Sequence, residues 1–387
     1  MNNKLITNYE SRVTSREPRG FTLIEIVVAI AILAMVIAFA GIIFKNSIGA
    51  YRISSAQAEI MQKLRVITEQ LDGDFKGLRK DAPMFIWFQQ DSNDPCHTRY
   101  DQIMFFADGD FQSAKQYAYT KSDGTTGLTT IVGNTARIRY AQSQIYSPSL
   151  NAFRYPWLQN MDNYYDRSLT KRQRILARSQ HIFAYNFPPV FPQFAAGNLL
   201  TIDPNANNLI EYDSNSLAQW KSAAQFGVNT HNIITGCFGD AADNFNFYRP
   251  WVNLSDPNTL HLLMTQGVGS LSIQWSYQYS SITGQNKILW WPAIDPDGNG
   301  NFADSDFASM AQDSFGFYFN AAQPSPSLVS WLSSDRASGV YYPGAAGNLV
   351  TAKPAFPPAL KFTFKLYDSR GVFKDGQTFT HIVYLGD

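Results

Sequence analysis

The chain has 387 residues, of which 45% are hydrophobic and 14% aromatic, a composition that supports a folded core and excludes a disordered protein. Lysine and arginine together number 31 and are balanced by 31 aspartate and glutamate residues, so the formal net charge is zero. This balance argues against the basic surface with which proteins bind nucleic acid, and no nucleic-acid partner is expected.

The N-terminal part of the chain divides into a polar leader, residues 1–20, and an apolar run from Phe21 to Phe44. As a helix that rises ~1.5 Å per residue, the run spans ~36 Å, which is enough for a bilayer core of ~30 Å. The positive charges of the leader favour keeping it in the cytoplasm, which would place the C-terminal part of the chain outside. The pattern therefore predicts a membrane anchor that crosses once.

Glu25 is the one charged residue of the apolar run. An ionised carboxylate in the membrane costs about 2.5–3.5 kcal/mol, so such a residue indicates a partner or a function. A new α-amino group on Phe21, on the same chain or on a neighbour, would supply the compensating positive charge.

Six consecutive residues resemble the N-terminus of the type IV pilin and type II secretion pseudopilin superfamily: Gly20, Phe21, Thr22, Leu23, Ile24 and Glu25. The resemblance implies that the prepilin peptidase, a membrane aspartyl protease, cuts between Gly20 and Phe21. It further implies that Phe21 is then N-methylated and that Glu25 directs assembly of the subunit into a helical filament.

Two other interpretations of this region stay open on the residues alone. An ordinary secretory signal peptide would be cut after the small-residue site Ala38-Phe39-Ala40 and would release a protein that starts at Gly41. A plain membrane anchor would explain the length of the run, but it would explain neither Gly20 nor Glu25.

An amphipathic helix is predicted to continue the run, which gives a spine of residues 21–80 with 21–44 in the membrane. Apolar residues at spacings of three and four form one stripe of this helix: Ile60, Leu64, Ile67, Leu71, Phe75 and Leu78. The polar residues between them suit a solvated face: Lys63, Arg65, Glu69, Gln70, Asp72 and Asp74. Asp81-Ala82-Pro83 is a stop signal, and the alternative is two helices with a break at residues 46–50.

Residues 81–387 are predicted to form an α+β domain in which the spine helix packs on antiparallel sheet. Short aromatic-rich runs predict strands from Met84 to Phe88 and from Gln102 to Phe106, and Asp108-Gly109-Asp110 predicts a turn. A further strand or hairpin is predicted from Thr129 to Tyr140, with Gly133-Asn134 as its turn.

Residues 141–260 are rich in Asn, Tyr, Pro, Gln and Ala and show weak periodicity. They predict a large, loop-rich insertion with short helices, for example around Ser168 to Ser179. The aromatic content of the chain argues against disorder in this block.

Regular alternation returns near the end of the chain. Val268 to Tyr279 alternates, and Ile288 to Trp291 is predicted to pair with it. Ala359 to Tyr367 and Thr378 to Leu385 predict a final hairpin. Two sets of residues are each predicted to share one face of a strand: Leu271, Ile273, Trp275 and Tyr277, and Leu360, Phe362, Phe364 and Leu366.

This order of a spine helix, strands and a final hairpin resembles the J-type minor pseudopilins of type II secretion. The resemblance covers residues 19–110 and 262–387. The block at 141–260 departs from the pattern of that group, and the chain is long for it.

The segment from Asp295 to Asp306 follows the pattern of a calcium-binding loop. Oxygen ligands fall at the first, third and fifth positions, glycine at the sixth, a backbone carbonyl at the seventh and an aspartate at the twelfth. The predicted Ca²⁺ ligands are Asp295, Asp297, Asn299, Asn301 and Asp306. The alternative is a plain polar turn between strands.

The two cysteines, Cys96 and Cys237, both lie beyond the apolar run. In an oxidising compartment they could form a disulfide, and the alternative is two separate buried thiols.

The chain contains no nucleophile elbow, zinc-protease motif, phosphate loop or Cys-x-x-Cys, so a non-enzymatic protein is expected. With the resemblance, this implies a minor pseudopilin at the tip of a type II secretion pseudopilus. It would be anchored in the bacterial inner membrane with its C-terminal domain in the periplasm, among other minor and major pseudopilins. The alternatives are a minor pilin of a type IV pilus and a membrane-anchored exported enzyme or binding protein.

Overall fold

The computed structural model of the protein describes residues 20–88, 99–120, 123–147, 152–154, 171–184, 211–213, 216–218, 220–221, 250–279, 287–291, 315–319, 327–330 and 357–386. The chain divides into two units, Met1–Ser55 and Ala56–Asp387. The described part of the first unit is helical from Leu23 onward, and the second unit contains the sheets. The α+β class predicted from the sequence is confirmed.

A long helix, α1, runs from Leu23 to Lys76. It contains no proline, and it is continuous through residues 46–50, so the alternative of two helices with a break there is wrong. The helix is shorter than the predicted 21–80 at both ends. At its C-terminal end a Cβ atom on Gly77 would lie 2.0 Å from the carbonyl oxygen of Asp108, so the closely approaching backbone leaves room only for glycine.

The strands of the described residues form three sheets. Their bounds in chain order are β1 Met84–Phe88, β2 Gln102–Thr120, β3 Thr126–Gln142, β4 Gln144–Ser147, β5 Ala152–Arg154, β6 Ile175–Ile182, β7 Trp251–Val252, β8 Leu263–Gln266, β9 Val268–Tyr279, β10 Lys287–Trp291, β11 Phe315–Phe319, β12 Ser327–Ser330, β13 Ala359–Leu366 and β14 Gln377–Tyr384, and a 3₁₀ helix lies at Pro257–Leu262. The seven-stranded sheet has the order β12-β11-β1-β2-β3-β6-β8, the four-stranded sheet has the order β10-β9-β13-β14, and the small sheet has the order β5-β4-β7.

The second half of α1 packs into the core of the second unit through the predicted stripe. Four of its residues are buried, namely Ile60, Ile67, Leu71 and Phe75, and Leu64 and Leu78 are partly buried against the same core. The ring of Phe75 stacks on that of Phe105 in β2 at a centroid distance of 4.2 Å and also meets Phe362 in β13. The helix therefore contacts strands of both large sheets.

The C-terminal strands follow the sequence prediction closely. β9 has the predicted bounds, β10 pairs with it antiparallel, and β13 and β14 form the final hairpin. The alternating residues Leu360, Phe362, Phe364 and Leu366 are all buried, as a single core-facing side of β13 requires.

Both short turns predicted between Asp108 and Asn134 are wrong. Asp108-Gly109-Asp110 lies inside β2, where the pairing with β3 shifts register between Asp108 and Phe111 as a bulge. Gly133-Asn134 lies inside β3. A Cβ atom on Gly133 would come within 2.4 Å of the carbonyl oxygen of Phe183, so this glycine permits a close backbone approach and does not make a turn.

The helix predicted around Ser168 to Ser179 is also wrong in its described part, because Ile175–Ile182 forms strand β6. This strand lies between β3 and β8 inside the seven-stranded sheet. Ile175, Leu176 and Ala177 are all buried, so both faces of the strand are covered and the alternating signal is lost.

Candidate processing and assembly site

The bond between Gly20 and Phe21 lies outside the helix. Residues 20–22 are not helical, and the side chain of Phe21 is 82% exposed. Apart from its neighbours in the chain, a Cβ atom placed on Gly20 would have no heavy atom of the described residues within 4 Å. In this form of the chain, the bond that the prepilin peptidase is expected to cut is therefore non-helical and exposed.

Thr22 and Glu25 cap the N-terminus of α1 reciprocally. Oε2 of Glu25 accepts hydrogen bonds from the backbone N–H of Thr22 at 2.9 Å and from its hydroxyl at 2.9 Å. In return, the N–H of Glu25 donates to the Thr22 hydroxyl at 3.3 Å. This is the capping-box arrangement, with Thr22 at the cap and Glu25 three residues later. The carboxylate therefore has a function within its own chain, which sequence reasoning missed although the Thr-x-x-Glu spacing signals it.

The first half of α1 presents apolar side chains on all sides. Its large hydrophobic residues from Leu23 to Phe44 are exposed, and no charged residue lies between Ile26 and Phe44. Among the described residues, α1 is the helix that is long and apolar enough to cross a membrane. A signal sequence would pass the same test, so length and composition support an anchor without distinguishing the two.

A buried ion network fastens the C-terminal part of α1 to the seven-stranded sheet. Asp74, predicted for a solvated face, is buried, and its carboxylate receives two hydrogen bonds from Arg178 in β6, at 2.6 and 2.8 Å. The hydroxyl of Tyr140 in β3 donates to the same carboxylate, and Gln70 adds an amide hydrogen bond at 3.1 Å. The prediction for Asp74 was wrong because its two main partners lie far away in sequence.

The ionisation of this network is set by burial and by charge. Burial, followed by the negative charge of Asp74, raises the pKa of the Tyr140 phenol well above its ordinary value. Burial alone would lower the pKa of Arg178, but the hydrogen bond and charge of Asp74 outweigh it and raise that pKa. Arg178 is therefore a permanent cation, and Tyr140 remains a hydrogen-bond donor at any physiological pH.

The predicted metal and disulfide residues lie outside the described residues, as does the leader up to residue 19. They are Asp295, Asp297, Asn299, Asn301, Asp306, Cys96 and Cys237. Within the ranges that the structure describes, no group of three or more His, Cys, Asp or Glu side chains is arranged to hold a metal ion. The calcium loop and the disulfide stay predictions from the sequence.

Comparison with known proteins gives one match. Residues 16–41 match the family described as the prokaryotic N-terminal methylation motif. The matched segment contains Gly20, Phe21, the Thr22–Glu25 capping box and much of the apolar half of α1. Neither the curated proteins nor the solved structures give a match to this chain. The N-terminal signal supports a place in the pilin-like superfamily and favours a structural, non-enzymatic protein.

Proposed function

We propose that the chain is a minor pseudopilin, a structural subunit at the tip of a type II secretion pseudopilus that takes part in protein export. The match of residues 16–41 to the methylation motif carries this proposal, because it joins a cleavage site, a carboxylate and an apolar helix in one register. In this function Phe21 to Phe44 holds the subunit in the inner membrane before assembly. The domain beyond it lies in the periplasm among other minor and major pseudopilins.

The size of the outer part of the chain favours the tip over the shaft. A shaft subunit repeats at close spacing, so a bulky outer domain would collide with its neighbours. The described part of the second unit, Ala56–Asp387, contains two large sheets and a small one, and the 141–260 block contributes strands β4 to β7 to them. A minor pilin at the tip of a type IV pilus fits the same argument and is the second candidate. A membrane-anchored exported enzyme or binding protein would use the N-terminal helix without assembling.

The copy number of the chain in isolated filaments and the identity of the proteins that co-isolate with it test this function together. Filaments isolated from the native cell should contain the chain at a small fraction of the abundance of the main shaft subunit, as measured by quantitative mass spectrometry. Co-isolation with secretion components supports the pseudopilus, whereas co-isolation with pilus components supports the type IV pilin. Abundance equal to that of the shaft subunit would reject the tip assignment, and absence from every filament would reject assembly.

Processing should leave Phe21 as the N-terminal residue of the mature chain, with a methyl group on its nitrogen. Mass spectrometry of the N-terminal peptide measures this directly. A Gly20→Val variant is the matched test, because a Cβ atom at Gly20 meets no other atom of the described residues within 4 Å, so a loss of cleavage would report the requirement of the protease. A mature chain that starts at Gly41 would contradict both the processing and the filament proposals.

Calcium should stabilise the folded chain through Asp295, Asp297, Asn299, Asn301 and Asp306. Aspartate at the twelfth position is shorter than the usual glutamate, so an affinity in the weak extracellular range of ~10⁻⁴–10⁻³ M is expected. At 1 mM calcium, about one to ten times this Kd, binding to the folded state alone adds about 0.4–1.4 kcal/mol. Millimolar Ca²⁺ should therefore raise Tm, and Mg²⁺ should raise it less.

Two variants separate a calcium site from a polar turn. Asp297→Ala should remove most of the rise in Tm, whereas Asp313→Ala, at an aspartate outside the loop, should keep it. Identical melting curves in calcium and in chelator, on chain confirmed to be folded, would mean that the segment is only a turn.

A further inference from the structure

The face of the seven-stranded sheet away from α1 is also buried, and it combines the cation of Arg137 with apolar side chains such as Met104 and Phe106. In β3, Ala136 and Ile138 belong to the hydrophobic core, so the alternating residue Arg137 points to the opposite face, where it is only 6% exposed. The short segment Glu211–Asp213 lies beside the end of β6. Asp213 and the nearby Trp220 contact Arg137 on this face, whereas Tyr212 packs against the main core.

The carboxylate of Glu211 is held by two consecutive backbone amides. The N–H groups of Ala114 and Lys115 donate to its two oxygens at 3.0 and 3.2 Å, and Gln180 adds a side-chain amide at 3.2 Å. In a regular strand successive N–H groups point to opposite sides, so two neighbours cannot share one anion. The register of β2 shifts between Gln112 and Gln116, and this bulge turns both amides to the same side.

The bulge is itself fixed by local hydrogen bonds. The hydroxyl of Ser113 donates to the carbonyl of Lys115 at 2.6 Å and accepts from the N–H of Ile131 at 2.9 Å. Glu211 is 2% exposed. The burial of the neighbouring Tyr117, followed by the negative charge of Glu211, raises the pKa of the Tyr117 phenol, which therefore stays protonated. The Ala114–Lys115 amide pair is thus a preformed carboxylate site.

A second carboxylate binds beside the first. Oδ2 of Asp213 lies 2.7 Å from Nε of Arg137, and both side chains are almost completely buried, at 2% and 7% exposure. The guanidinium of Arg137 also stacks on the Trp220 ring, 5.0 Å from its centroid. The planar cation is therefore oriented from two sides, which suits recognition of one carboxylate at one place.

The backbone of the segment adds to the end of β6 as a short parallel bridge. The N–H of Ile182 donates to the carbonyl of Glu211 at 2.8 Å, and the N–H of Asp213 donates to the carbonyl of Ile182 at 3.0 Å. Between the two carboxylates, the ring of Tyr212 meets that of Tyr117 edge-on at 6.4 Å. Main-chain pairing to a strand with alternating side-chain contacts is the way in which sheets bind extended peptides.

We propose that the β2 bulge, Arg137 and the end of β6 form a recognition site for an extended peptide of the pattern Glu-aromatic-Asp. In this chain Glu211–Asp213 occupies the site as an intramolecular ligand, and a partner protein with the same pattern competes for it. Buried charges contribute to the specificity of binding more than to stability. Apolar side chains could hold a loop against the sheet without the desolvation cost of burying charged groups. The site goes beyond the proposed filament function and does not depend on it.

The resident segment should keep the site closed to peptides in the unaltered chain. A tethered ligand has an effective concentration of about millimolar, so a peptide added in trans at micromolar concentration competes poorly. A Glu211→Gln and Asp213→Asn double variant removes both charges at nearly constant shape. It should therefore open the site to an acidic peptide from outside.

The experiment uses the full chain in detergent and a fluorescein-labelled peptide with the sequence of residues 208–215. We expect the double variant to bind this peptide at least about tenfold more tightly than the unaltered chain does, by fluorescence anisotropy. A control peptide with Gln and Asn at the two acidic positions should bind neither. In hydrogen exchange, the amides of Ala114 and Lys115 should lose protection in the double variant and regain it with the acidic peptide.

Arg137→Met in the double variant should abolish binding of the acidic peptide, since the second carboxylate loses its cation. If the double variant does not fold, Asp213→Asn alone keeps Glu211 in place and should still bind the acidic peptide more tightly than the unaltered chain. A folded variant that binds no peptide, or that binds the acidic and neutral peptides equally, would overturn the proposal.

Discussion

Replacing Asp74 by alanine should destabilise the folded chain by about 3–5 kcal/mol, the usual cost of removing one partner from a buried ion pair. The loss leaves the Arg178 guanidinium, 18% exposed, without its carboxylate and leaves the buried hydroxyl of Tyr140 without its acceptor. Chemical denaturation of the detergent-solubilised chain, followed by tryptophan fluorescence, measures the change in the free energy of unfolding.

Asp72 provides the matched control on the same helix. Its carboxylate pairs with His381 at 2.8 Å, but its side chain is 58% exposed. A solvent-exposed pair of this kind contributes about 0.2–1 kcal/mol, so Asp72→Ala should cost far less than Asp74→Ala. Equal costs for the two variants would show that the Asp74 network contributes no more than an ordinary surface contact.

The parts of the fold that were predicted correctly carry their signal within a few neighbouring residues. The core stripe of α1 repeats at helical spacing, and β13 alternates strictly because one of its faces meets the core. In each case one face is buried and the other is not. The period of the element is therefore visible in the sequence itself.

The parts that were missed depend on partners far away in the chain. β6 is covered on both faces, and the close backbone of Phe183 leaves no room for a side chain at Gly133. The bulges of β2 are register shifts in its pairing with β3. Asp74 has the sequence pattern of a solvated residue, because its partner Arg178 lies 104 positions away in the chain. A single sequence contains no record of such approaches, so its polar residues and glycines are assigned by default to surfaces and turns.

The candidate site divides in the same way. The residues from Gly20 to Glu25 form one contiguous motif, and the match to residues 16–41 falls on it. The contacts of Glu211 and Asp213 with the sheet join residues that are 29 to 97 positions apart, and the sequence pattern predicted only an irregular insertion for the whole block. Local chemistry was therefore readable from the sequence, and long-range chemistry was not.

Replacing Glu25 by alanine should leave membrane insertion intact, since it removes a costly charge from an apolar helix. It should impair assembly, because the carboxylate is the group that the Phe21 amine of an adjacent subunit would pair with. Truncating one partner of a buried charge pair costs about 2–5 kcal/mol, so recovery of the chain with its filament partners should fall at least about tenfold, which corresponds to ~1.4 kcal/mol.

The capping box gives a control that separates charge from helix geometry. Glutamine at position 25 keeps an oxygen to accept from Thr22 and so preserves the cap, but it removes the charge. Glu25→Gln should therefore assemble as poorly as Glu25→Ala. Thr22→Val removes the hydroxyl at a cost of about 1 kcal/mol to the helix start and keeps the carboxylate, so it should assemble almost normally. If Glu25→Gln assembles normally and Glu25→Ala does not, Glu25 acts through the cap, and if both assemble normally, the pairing with Phe21 is wrong.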